Sequence, residues 1–101
     1  MRDEREAMMV VRAELCDRLD QLRGLWRRGA AAEFDKRLEA LRALAGAYGL
    51  APVARVAEAL QRSRGPAPLY FDRLRDAIRC ERVDEEAAQA MLASVSVRLG
   101  A

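Results

Sequence analysis

The sequence predicts an all-α protein, an antiparallel four-helix bundle with an additional short helix. Three observations point there. The 101 residues are rich in Ala, Leu, Arg and Glu, with only 3 Pro and 5% aromatic residues; Ala and straight-chain side chains lose little entropy on entering a helix. Apolar residues recur at three- and four-residue steps over most of the chain. No strand-like alternation extends beyond Val95-Ser96-Val97, which lies inside a helical pattern. A chain of this length forms one domain, residues 1–101, and buries roughly two-thirds of the surface its unfolded form exposes.

The first helix is expected from about Asp3 to Arg28, with Met8, Val11, Leu15, Leu19, Leu22 and Trp26 along one side. Trp26 is a candidate for an exposed interface anchor, but its phase with Leu22 favours the core. Gly24 interrupts the pattern at a cost of about 1 kcal/mol relative to Ala and marks a bend or the approach of the end. Gly29 follows the basic pair Arg27-Arg28 as a C-cap. The second helix is expected from about Ala31 to Tyr48, with a stripe of Phe34, Leu38, Leu41, Ala45 and Tyr48 widened by Leu44, and Gly49 as its stop. The third starts at Pro52, preorganised for a first turn, and buries Val53, Val56, Ala57 and Leu60. It ends at Ser63-Arg64-Gly65-Pro66, and Gly65 to Pro68 reads as a linker too short to separate domains.

The segment Leu69 to Cys80 carries Tyr70 or Phe71, Leu74 and Ile78 as a short helix. The last helix opens with Asp84 as N-cap and Glu85 and Glu86 in the first turn, where acidic groups suit the helix dipole. Ala88, Met91, Leu92, Val95 and Leu99 face inward. No helix is apolar all round, so none is expected to be the central buried element of a larger protein.

Charge and composition exclude several classes. The 18 basic and 16 acidic side chains are interleaved and leave a net charge of +2, without the basic stripe of a nucleic-acid binder. All basic residues but Lys36 are Arg, which reflects base composition before any demand for phosphate recognition. Cys16 and Cys80 lie far apart, and neither has a histidine to act as base or to complete a metal site. Cys16 reads as core filler, and Cys80, beside Arg79 and Arg82, packs at a helix end. No cofactor and no metal are expected. No apolar run approaches the ~20 residues that span a bilayer, and the two thiols suggest a reduced, cytoplasmic protein. A monomer is favoured, with pairing through Met8, Val11 and Leu15 of the first helix as the alternative.

Glu39, Arg42, Ala43 and Gly46 are neighbours at helical spacing, on the side away from Leu38, Leu41 and Ala45. Ala43 and Gly46 leave low ground beside the charged pair, where another protein's backbone can approach. The stretch Glu39-Ala40-Leu41-Arg42-Ala43, continued to Gly49 and Leu50, resembles the active helix of histidine phosphotransfer domains. That helix runs His-x-Leu-Lys-Gly, with a second Gly after five further residues. The resemblance covers roughly Gly29 to Arg62, about a third of the chain. It places Leu41 at the buried leucine, Arg42 at the basic residue, and Ala43 at the small residue. Gly49 and Leu50 fall at the helix end, while Val53, Val56, Leu60 and Gln61 fit the family's next helix. Glu39 falls where the phospho-accepting histidine stands, and the chain contains 0 His.

A carboxylate cannot form the phosphoramidate that imidazole forms. The resemblance therefore implies a docking surface without phosphotransfer chemistry: no catalytic residues, and Asp35, Lys36, Glu39, Arg42, Ala43 and Gly46 facing a receiver domain or a histidine kinase in two-component signalling. The alternative expectation is a structural or dimerising helical bundle with no phosphorelay role.

Overall fold

A computed structural model describes residues 4–63 and 67–98. These form five helices: α1 (Glu4–Arg27), α2 (Ala31–Ala47), α3 (Ala51–Arg62), α4 (Ala67–Arg79) and α5 (Glu85–Arg98). No strand occurs among the described residues, and none of the helices is long and apolar enough to cross a membrane.

The first two connections are built alike. Gly29 and Gly49 adopt φ values of 69° and 70°, the left-handed region that glycine enters without a Cβ clash. At the end of α1, the Ala30 amide donates to the Leu25 carbonyl at 3.1 Å and the Gly29 amide to Trp26 at 3.1 Å. At the end of α2, the Leu50 amide donates to Ala45 at 2.9 Å and the Gly49 amide to Gly46 at 3.2 Å. Both are Schellman closures, which satisfy the last carbonyls of a helix and turn the chain sharply. Neither Ala30 nor Leu50 supplies a side-chain cap to the helix that follows. The glycines therefore carry the punctuation at these two corners.

α1 packs on α2, α2 on α3, α3 on α4, and α4 returns to α1; α5 lies against α3 and α4. α3 thus touches three helices and buries Pro52, Val53, Ala54, Val56, Ala57 and Leu60, half of its 12 residues. It is the central element of the packing. α1 and α4 run antiparallel, joined by the ion pairs Arg23–Asp72 at 3.6 Å and Arg75–Asp20 at 3.7 Å. The fully buried side chains Leu15, Leu19, Leu22, Leu38, Leu41, Val53, Val56, Leu74 and Ile78 form the core.

Several expectations change. Trp26 is 46% exposed, and Leu25, one position earlier, takes the core position in its place. α1 ends at that point, so the last turn rotates the indole to the rim. Tyr48 lies outside the core at 50% exposure because it is the C-cap of α2, past the last helical turn. Ala67 and Pro68 do not belong to a linker; they open α4, while Gly65 and Pro66 lie outside the described residues. Tyr70 and Phe71 are both buried, not one of them. Gly24 lies within α1, which ends three residues later at Arg27. α3 starts at Ala51, with Pro52 as its second residue.

Other expectations hold. Asp84 caps α5: its Oδ1 accepts the Ala87 amide at 2.8 Å. Ala88 and Val95 are buried, and Met91 and Leu92 pack partly buried against the core. Leu99 lies outside the described residues. Cys16 and Cys80 are free and half-buried.

Candidate functional site

The six residues singled out on α2 share one face. Asp35, Lys36, Glu39, Ala43 and Gly46 are exposed and Arg42 is half-buried, while Leu38, Leu41 and Ala45 point the other way into the core. Three buried positions at the helical repeat fix the rotation of α2, and the solvent side follows from them.

Glu39 and Arg42 are a forked pair. Arg42 Nε donates to Glu39 Oε2 at 2.9 Å, and Arg42 Nη2 donates to Oε1. A third donor arrives from α3, where Gln61 Nε2 donates to Glu39 Oε2 at 2.6 Å. Three hydrogen bonds to the charged form lower the Glu39 carboxyl from 4.5 to about 2, the Arg42 bonds first and the Gln61 bond second. The same contact raises Arg42 above its ordinary value. At neutral pH the pair is a carboxylate and a guanidinium that largely cancel each other at short range. Lys36 makes no ion pair among the described residues and is the free positive charge of the face.

The place of Gln61 beside Glu39 follows from the hairpin. α2 and α3 fold back on each other around Leu50, and the two residues lie equally far from it along the chain. The sequence pattern alone assigned Gln61 only to the next helix. The contact needed the closure at Gly49 to set the register.

On either side of the Glu39–Arg42 ridge the surface falls away. Asp35, Leu38 and Gln61 line one shallow depression. Gly46, Gly49, Ala54, Arg55 and Val83 border the other. A Cβ built on Gly46 meets nothing within 4 Å, so packing inside the chain does not require glycine there. The second depression is bounded by groups the sequence did not single out. The Val83 carbonyl accepts the Ala51 amide at 3.2 Å, which pins the α4–α5 connection to the start of α3. Arg55 joins α3 to α5, with Nη1 donating to Glu58 at 2.7 Å and Nη2 donating to Glu85 at 3.0 Å. Those two carboxylates raise the Arg55 guanidinium above its ordinary value, Glu85 contributing first.

Among the described residues, no group of three or more His, Cys, Asp or Glu side chains is placed to hold a metal ion. What the α2 face offers is shape: a charge-compensated ridge between two low areas, on a helix whose rotation the core locks.

The chain matches no protein-family model, no curated protein and no solved structure.

Proposed function

We propose that this chain is a non-catalytic, phosphotransfer-like interaction protein of the cytoplasm. It binds a response-regulator receiver domain or a histidine kinase through the exposed face of α2 and modulates two-component phosphorelay signalling. In this reading the helices form an antiparallel four-helix bundle with one additional helix. The observation that carries it is the solvent-facing set Asp35, Lys36, Glu39, Arg42, Ala43 and Gly46 at mid-helix, with open space around Gly46. That is the low, polar surface on which a partner's backbone can settle. With no histidine in the sequence, the chain would occupy a partner's docking surface without accepting phosphate.

The ridge geometry sharpens the role of Glu39. Its carboxylate is held by Arg42 and Gln61, so it does not project as a bare negative charge. The reading therefore favours competition for the docking surface over electrostatic imitation of phosphohistidine. Lys36, unpaired among the described residues, supplies attraction toward an acidic pocket.

The test is a binding survey against receiver domains and kinase dimerisation domains. Gly46→Trp fills the open ground and is expected to weaken a captured partner by at least about tenfold, the scale of an interface clash, with a melt no lower than that of the parent chain. Lys36→Glu should weaken it in a salt-dependent way. Unaltered affinity in both variants, or no partner of either class, defeats the proposal. Incubation with a phosphorylated receiver should leave no acid-labile phosphate on this chain.

The second reading, a structural or dimerising bundle, finds support in Met9 and Val10, which are 66% and 54% exposed on α1. Val11 and Leu15 belong to the chain's own core and Met8 is packed partly against it, so self-pairing through α1 would rest on Met9 and Val10. A tight dimer in sedimentation that Met9→Glu dissociates would select this reading.

A further inference from the structure

The rim where α1 ends, α2 begins and α4 begins exposes an aromatic and basic cluster that the α2 face does not use. Trp26 stands between two depressions. One is lined by Arg23, Arg27, Pro68 and Phe71, the other by Gly29, Ala30, Phe34 and Asp35. The indole is braced but uncovered. Its ring meets Phe71 edge-on at 6.3 Å and 86°, and Phe34 supports Phe71 from beneath at 6.1 Å. A tryptophan left 46% exposed beside a second aromatic ring presents apolar area to a partner.

The charge beside it is positive and under-used. The Arg23 guanidinium lies over the Phe71 ring at 5.8 Å. Its contact with Asp72 is long, at 3.6 Å, and its Nε and Nη2 are shielded from water with no hydrogen-bond acceptor. Arg27, exposed on the next turn, forms no ion pair among the described residues. Arg23 and Arg27 line the depression beside Phe71; the carboxylate paired with Arg23, Asp72, is itself 62% exposed, and Asp35 borders the depression on the other side of the indole.

We infer that the Trp26 rim is a docking site for an acidic peptide segment of a partner protein, one apolar side chain packing against the indole and an adjacent carboxylate meeting Arg23 and Arg27. A second copy of this chain fits poorly. A two-fold contact centred on Trp26 sets the same patch against itself and brings Arg23 and Arg27 against their own counterparts. An acidic segment complements the patch in both charge and shape. The inference shares only Asp35 with the α2 face and does not rest on the proposed function.

Trp26 is the single tryptophan, so its emission reads the site directly. The probe is a blocked heptapeptide of Asp and Glu around a central Leu-Leu pair, with a matched peptide carrying Lys at the acidic positions. The acidic peptide should shift Trp26 emission to the blue in a saturable way that weakens with added salt, and the Lys peptide should not. Arg27→Glu should weaken the response by at least about tenfold with an unchanged circular dichroism spectrum. Lys36→Glu, on the α2 face, should leave it intact. Four results overturn the inference: no emission change up to about 1 mM peptide, the weak end of recognition; equal response to the Lys peptide; indifference to Arg27→Glu; or sedimentation showing a dimer that already covers Trp26.

Discussion

Gly46 and Gly49 stand three residues apart and answer to opposite physics. Gly49 closes α2 at φ 70°, a conformation that costs an L-residue about 1 kcal/mol or more. Gly46 lies inside the helix with open space where a Cβ would go. Gly49→Ala is therefore expected to destabilise by about 1 kcal/mol, and Gly46→Ala to stabilise by about 0.5–1 kcal/mol through the reduced entropy of the unfolded chain. Paired thermal or urea melts check both signs.

Glu39 gives the second prediction at this scale. Its folded pKa is lowered to about 2 from 4.5, so the contribution of its contacts is fully present above the unfolded value. It is lost as pH falls from about 4.5 through about 2. Side-chain carboxyl titration by NMR should find Glu39 ionised well below the ordinary glutamate range. Arg42→Met should return it most of the way, and Gln61→Ala part of the way. The exposed position makes the effect diminish at high salt.

Among the elements, α5 depends most on its start. It buries few side chains, Ala87, Ala88 and Val95 among those described, so local capping matters more to it than to α3 or α4. Asp84 Oδ1 accepts the Ala87 amide, and the Asp84 carbonyl accepts Ala88 at 3.1 Å. The Ala87 bond first and Arg82 second hold the Asp84 carboxyl below its usual range. Asp84→Ala should speed amide exchange across the first turns of α5 by roughly severalfold, and Asp84→Asn should restore most of the protection. This cap was legible because an N-cap is a local event, written in Asp84-Glu85-Glu86. The start of α4 was not. Gly65-Pro66-Ala67-Pro68 carries turn chemistry, yet Ala67 and Pro68 lie in a first turn, where a proline lacks nothing a helix needs.

In the whole molecule, α4 is part of the frame. It touches α1, α3 and α5 and buries Tyr70, Phe71, Leu74, Ala77 and Ile78, whereas a short apolar pattern made it look like an addition. Leu74→Ala is accordingly expected to cost about 2–5 kcal/mol, the range for a fully buried leucine, and to lower the melt of the entire chain in one transition. A loss below about 1 kcal/mol, or a separate early transition confined to α4, would show it to be an appendage.

The sequence by itself determined that the chain is helical, where most helices begin and end, and which face of α2 meets solvent. Each of these follows from spacing and from caps only a few residues long. Tertiary structure alone decided that α3 is central, that Gln61 reaches Glu39, and that Trp26 stands at the rim with Leu25 in the core. Those outcomes depend on which stripe meets which partner and where a helix runs out relative to its neighbours. Periodicity within one segment carries no information about the surface another segment brings to it.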